Sequence, residues 1–269
     1  MEIILKNVGY RYKNKKILEK INLKIRSEMI TGITGDNKTL FIELINAITE
    51  PSYGEIKIGN KVLNEENLTE LRRAVCFIRQ KPTEQFFTTC VKEEMEFLIS
   101  RLNYKNKNIE KKMKDALQVV GLKDDYLEKE IFKLSSGEQK LIQIAVSLLY
   151  NPSVIIFDEP FVELDYQNKK KLIKLIKMLK ERYHKTIIIA SNDSNLLYEL
   201  TDDLVIIKKT RVIAADTTTK IYQDVRFLEY NDIEIPNLVL FTDKARKKKV
   251  KLNFHKDIRD LIKDVYKHV

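Results

Sequence analysis

Asp158 and Glu159 stand at the end of a short apolar run, Val154-Ile155-Ile156-Phe157. A continuous apolar run of this length reads as a strand buried on both faces. Carboxylates at its end project into the crevice where open α/β sheets bind ligands. Asp158 is the type of group that holds Mg2+ on a nucleotide, and Glu159 is placed to polarise an attacking water. Ser135, Ser136 and Gly137 stand just before a helix, where free backbone N–H groups and the helix dipole can grip a phosphate. The same residues would also serve as a plain helix N-cap.

These residues need a frame. Residues 2–8 and 17–26 read as strands around the polar turn Lys13-Asn14-Lys15-Lys16. Met29 to Thr34 reads as a buried strand, and Gly35-Asp36-Asn37-Lys38-Thr39 links it to an apolar helix, Leu40 to Ile48. Pro51 to Gly54 is a turn and Glu55 to Ile58 a short strand. Residues 91–150 read as mostly helical, with a Lys/Asn-rich break near 103–109. An amphipathic helix over 167–182 carries Leu172, Ile173, Leu175, Ile176 and Leu179 on its apolar side. Thr186 to Ala190 and Leu204 to Ile207 are further buried strands. The order predicts an α/β nucleotide-binding domain with an antiparallel β edge and a helical subdomain. The expected boundaries are 1–224 for that domain, about 82–152 for the helical subdomain, and 225–269 for a C-terminal extension.

At 269 residues the chain can bury a substantial core. Its composition, 43% hydrophobic and 33% charged, suits a globular protein, and no apolar run approaches the ~18 residues of a membrane span. The start lacks the basic region and long apolar core of a signal peptide. Cys76 and Cys90 form neither a metal-type spacing nor a disulfide framework, which fits a reducing cytosol. The net charge of +10 is spread over solvated Lys-rich stretches (Lys13 to Lys16, Lys105 to Lys114, Lys169 to Lys180, Lys244 to Lys251), so no nucleic-acid partner is expected.

In sequence order come Gly35 to Thr39, Gln80, Leu134-Ser135-Ser136-Gly137-Glu138-Gln139, Asp158-Glu159 and Leu164-Asp165. This series resembles the ATPase domain of ABC transporters, a P-loop NTPase fold. The pieces look like Walker A, the Q-loop, the signature, Walker B with its glutamate, and the D-loop. The resemblance implies ATP and Mg2+ as cofactors. Gly35, Asp36, Asn37, Lys38, Thr39 and Gln80 would bind nucleotide, and Thr39, Gln80 and Asp158 would hold the metal. Glu159 and, at the position facing the γ-phosphate, Asn192 would act in catalysis. Tyr12 matches the aromatic that stacks on adenine, with Tyr10 as competitor. Ser135, Ser136, Gly137, Glu138 and Gln139 would face a partner's nucleotide, as would Leu164 and Asp165. The segment Gln80 to Phe87 with Val91-Lys92-Glu93-Glu94, and the tail Leu228 to Pro236, are similar to energy-coupling factor (ECF) transporter ATPases. Those pair beneath a transmembrane coupling subunit that supports a substrate-binding membrane protein for vitamins or metal ions.

Two departures fall on one site. A phosphate loop of the form G-x-x-x-x-G-K-[ST] lets successive N–H groups encircle a phosphate. Here only Asp36 and Asn37 separate Gly35 from Lys38, as though three residues, ~10 Å of extended chain, were missing. A second alignment runs from Gly32 to Lys38 with Asn37 at the second glycine; it would shorten the preceding strand. The second departure is Asn192, which stands where the family has a histidine for the γ-phosphate, and an amide lacks the chemistry of imidazole.

The expected function is therefore the energy-coupling ATPase subunit of an ECF-type importer for a vitamin or metal ion. It would pair with a second, competent ABC ATPase, contribute the signature to that partner's site, and lie peripherally on the inner face of the cell membrane. A soluble ATPase-like regulatory or interaction protein is the second reading. A DNA-repair ABC ATPase would need long heptad arms, and a translation-type protein normally carries two cassettes.

Overall fold

The protein is described here from a computed structural model that covers residues 1–101 and 108–267. The chain begins with a hairpin, β1 (Ile3–Tyr12) and β2 (Lys15–Ile25), and passes through β3 (Ile30–Gly35) into α1 (Lys38–Ile45). Then come β4 (Tyr53–Ile58), β5 (Lys61–Val62), α2 (Leu68–Ala74) and β6 (Val75–Ile78). A helical stretch follows with α3 (Val91–Arg101), α4 (Ile109–Val119) and α5 (Ser136–Leu148). The chain returns through β7 (Val154–Asp158), α6 (Tyr166–Glu181), β8 (Thr186–Ala190), α7 (Ser194–Leu200), β9 (Asp203–Lys208) and β10 (Arg211–Thr217). It closes with α8 (Thr218–Gln223), α9 (Val225–Tyr230), α10 (Asn237–Lys247) and α11 (Ile258–Tyr266). The expected Lys/Asn-rich break, and the first residues of the Lys105 to Lys114 run, fall largely outside the described residues.

The strands form two sheets. One is antiparallel, in the order β2-β1-β4-β5. Its hairpin turns at Lys13 and Asn14, both left-handed at φ 44° and 63°, as a two-residue turn needs if it is to follow the strands' twist. The other has the order β10-β9-β3-β8-β7-β6. Its four pairings from β9 to β6 run parallel, and β10 closes one edge antiparallel to β9.

The two-residue period of the strands divides the core. Val154, Ile156, Ile188, Ala190, Val205 and Ile207 face α1 and the antiparallel sheet. Ile155, Phe157, Ile187, Ile189, Leu204 and Ile206 face the helices. Every residue of β7 and β8 is buried, which is why these strands read as unbroken apolar runs. On α6, Leu172, Leu175, Ile176 and Leu179 are buried at helical spacing, and Ile173 packs partly against the same core. The ends of β3, β7 and β8 thereby bring Gly35, Asp158 and the residues after Ala190 to one edge of the sheet.

Candidate functional site

The β7 end carries the carboxylates. Asp158 is buried and pairs with the strand neighbour Ala190. Burial, then the charge of Glu159, pushes its pKa up, and a hydrogen bond from Thr39 opposes this. The Thr39 hydroxyl donates to Asp158 Oδ1 at 3.4 Å. Glu159 takes a left-handed backbone, φ 41°, which costs a non-glycine residue about 1 kcal/mol or more. That turn swings its carboxylate across the strand ends. Oε1 meets Lys38 Nζ at 3.2 Å and accepts from the Asn192 amide at 3.2 Å, while Oε2 accepts from Ser191 Oγ at 2.8 Å. Ser191, unremarked in the sequence, is thus a direct partner of the glutamate.

The β3–α1 link is short. β3 pairs with β9 through Gly35, opposite Ile207, and α1 starts at Lys38. Gly32, the first glycine of the second alignment, therefore lies inside the strand, opposite Ile189 and Leu204. The two linking residues are tied down. The Asp36 amide donates to Ile207 O at 2.8 Å, and the Asp36 carboxylate accepts from the Lys209 amide at 2.7 Å. Asn37 is left-handed, φ 54°, and its side chain donates to Lys209 O at 3.0 Å. Gly35 cannot be replaced here: its φ is 98° and a Cβ would stand 2.0 Å from Ile207 O.

The segment Leu134 to Gln139, expected to be the signature, is a formed helix start. Ser135 caps α5, its hydroxyl accepting from the Glu138 amide while the Glu138 carboxylate accepts from the Ser135 amide at 3.0 Å. This is a complete capping box. Tyr126 donates to the other Glu138 oxygen. Gln139 donates to the carbonyls of Ile131 and Leu134 at 3.1 and 3.0 Å. Ser135 and Ser136 are exposed and Gly137 is buried. Gly137 lies under Asn168, whose Cγ would be 2.6 Å from an added Cβ. Asp165 caps α6 and holds that same Asn168 through its amide and its side chain, both at 2.8 Å. Ser136 Oγ reaches Glu163 O at 3.4 Å. The start of α5 and the Leu164-Asp165 turn are therefore packed against each other.

Gln80 is exposed, just beyond β6. Tyr12 ends β1 at 57% exposure with the Lys13 ammonium 5.5 Å from its ring centre, whereas Tyr10 packs partly against the core. Of the two, Tyr12 is the more exposed. Beside Gln80 a cleft of about 350 Å3 opens between β6, α3 and α5, lined among others by Arg72, Arg73, Gln85, Phe86, Phe87 and Glu94. Phe86 packs partly into the helical core; Phe87 is 78% exposed. Buried Glu94 fixes this turn, accepting from the amides of Phe87 and Thr88 at 2.9 and 2.8 Å.

A family profile for ABC transporters matches residues 18–162, more than half of the chain. The chain belongs to the ABC transporter ATPase family. It is 26% identical over 256 residues to the energy-coupling factor transporter ATP-binding protein EcfA2 of Enterococcus faecalis, spanning 91% of this chain and 89% of that protein. It is 29% identical over 250 residues to the corresponding EcfA protein of Methanocaldococcus jannaschii, spanning 90% and 88%. Among solved structures it matches cbiO1 of Clostridium perfringens, part of the ABC transporter complex cbiONQ, at a TM-score of 0.77 and 25% identity, over 90% of this chain and 98% of that one. A dimeric ATP-binding cassette bound to ADP and Pi matches at 0.71 and 26% identity, over 80% and 98%. The α/β ABC ATPase fold expected from the motifs is thus the fold of this chain. Among its described residues no helix is long and apolar enough to cross a membrane.

ABC ATPases bind ATP with Mg2+. Thr39 and Asp158 offer oxygens to a cation from one point. Among the described residues no group of three or more His, Cys, Asp or Glu is placed to hold a metal ion; Mg2+ bound with a nucleotide takes part of its coordination from phosphate. The phosphate half fits less well. The Asp36 amide is already engaged, and the Lys38 ammonium already faces a carboxylate.

Proposed function

We propose that this ABC ATPase is the structural half of an ATPase pair in an ECF-type importer for a vitamin or metal ion. Its own nucleotide site is impaired, and its signature completes the site of a second, competent ATPase. The observation that carries this reading is the contrast between two places in one chain. At the β3–α1 link, Lys38 is matched by Glu159 and only two tied-down residues precede the helix. At α5, the capping box is complete and Ser135 and Ser136 lie open to solvent. An ammonium held by a carboxylate gains less from an incoming phosphate, and a two-residue link presents too few N–H groups to encircle one. The Asn192 side chain adds no imidazole there.

The membrane partner is inferred from the relatives' names and from the exposed Phe87 beside the cleft. A transmembrane coupling subunit docking there would link the pair to a substrate-binding membrane subunit. The chain would then lie on the inner face of the membrane.

The test is asymmetry. The chain is co-expressed with its neighbouring ATPase and membrane proteins, and ATP hydrolysis of the purified complex is measured. Ser135→Arg should abolish at least nine-tenths of the activity, and Lys38→Ala should leave most of it. Equal loss from both substitutions would refute the reading.

A further inference from the structure

Lys140 lies on α5 one turn past Ser136, with only 2% of its surface exposed. Its ammonium donates to two consecutive carbonyls on the far side of the cleft, Arg79 O at 2.8 Å and Gln80 O at 2.7 Å. Gln143, one turn further along α5 and equally buried, donates to Gln85 Oε1 at 2.6 Å and to Arg79 O at 3.3 Å. Gln85 in turn bridges the stretch after β6, donating to Phe77 O at 3.1 Å and accepting from the Arg79 amide at 3.3 Å. The Gln143 Oε1 has no hydrogen-bond partner.

This network is costly for a core. A buried ammonium carries a desolvation penalty, and an unpartnered amide oxygen costs about 1–3 kcal/mol. Burial lowers the Lys140 pKa to about 8, with Glu163 and Asp158 supporting the charge from a distance. Leucine or methionine at 140 and 143 would pack without these costs. What the polar residues supply is direction: they hold one specific stretch of backbone, 79 and 80, against one specific helix.

We propose that Lys140 and Gln143 are positioning residues that make the Gln80 segment and the signature helix move as one body. The cleft beside Phe87 and the exposed Ser135-Ser136 then lie at two ends of a single rigid unit. A displacement at the cleft arrives at the signature without any nucleotide bound to this chain. The link between that motion and ATP turnover rests on the proposed function; the mechanical unit itself does not.

The experiment has two arms. In the isolated chain, amide hydrogen exchange is followed at residues 79–85 and 134–140 for the parent, Lys140→Met, Lys140→Arg and Gln143→Leu. Lys140→Met should raise exchange at both segments together, at least tenfold, with β7 and β8 unchanged. Lys140→Arg should return most of the protection. Gln143→Leu, which also removes the unpartnered oxygen, should loosen 79–85 and 134–140 together in the same way. A rise confined to one segment, or none in either, overturns the proposal. In the assembled complex, Lys140→Met should lower kcat for ATP at least fivefold with KM unchanged, and Lys140→Arg should recover it. An unchanged kcat in an active complex also overturns it. A parent complex with no activity refutes the proposed function instead, and the exchange arm then decides the mechanical unit alone.

Discussion

Lys38 and Glu159 face each other across 3.2 Å at the ends of α1 and β7. Both side chains are largely buried, and Glu159 reaches this position only through a left-handed backbone. A lysine and a glutamate with separate expected roles, one on phosphate and one on water, meet as an ion pair. The glutamate is further engaged by Ser191 Oγ and the Asn192 amide.

The isolated chain should therefore hydrolyse ATP at no more than the background rate. Phosphoryl transfer depends on positioned charge and donors, and each missing donor costs about 10²–10³ in rate. Glu159→Gln should leave this background unchanged. It should lower stability by about 1–3 kcal/mol, since three donors lose a charged acceptor. Phosphate release and a denaturant melt check the two halves. Mg-dependent turnover abolished by Glu159→Gln would show a working site.

Phe87→Asp should separate docking from folding. The ring is 78% exposed and meets Phe97 at 5.4 Å between centres. The melting temperature should stay within a few degrees of the parent, because surface changes cost about 0.5 kcal/mol or less. Pull-down of the membrane subunit should weaken at least tenfold while the ATPase pair still forms. Phe86→Asp, by contrast, should destabilise the chain itself, since Phe86 packs against the helical core.

Gly137→Ala should destabilise through Asn168. The added methyl would stand 2.6 Å from Asn168 Cγ, and Asp165 holds that side chain in place. Overpacking of this kind costs about 1–3 kcal/mol. Asn168→Ala in the same chain should recover most of the loss. A double-mutant cycle by denaturant melts measures it, and an additive result would show that the two residues do not touch in solution.

Cys76 should react slowly with thiol reagents. Burial pushes its pKa up to about 11, so at pH 8 only about one molecule in a thousand carries the thiolate. In a Cys90→Ser background, labelling should speed up about tenfold per pH unit from 8 to 10. A rate independent of pH over that range would show that opening of the structure, and not ionisation, limits the reaction.

The parts of the fold that the sequence displays are those where local pattern and environment agree. Thr186–Ala190 is five apolar or small residues long in sequence and in structure, because both of its faces are covered. The helix over α6 shows its buried side as a plain 3.6-residue pattern. The short α2 and the two-residue β5 carry too little pattern to be read, and they are held by tertiary contacts. Among site residues, the Lys38–Glu159 pair joins positions that were legible separately, but not their meeting. Ser191, Lys140, Gln143 and Gln85 were illegible as site residues: their bonds connect segments distant in sequence, such as Lys140 to Arg79 and Gln80. The closeness of Asn168 to Gly137 is likewise set only by the packing of α6 on α5.

The strand order has a consequence for how the protein is made. β1, β2, β4 and β5 can pair as soon as about sixty residues have left the ribosome, because all their partners lie among themselves. β3 cannot: its neighbours are β8 and β9, beginning at Thr186 and Asp203. At about 5–20 residues per second, translation leaves β3 waiting for some ~8–30 s. Nascent chains stalled before residue 186 should be cut by protease within β3, and chains extended past residue 208 should be protected there.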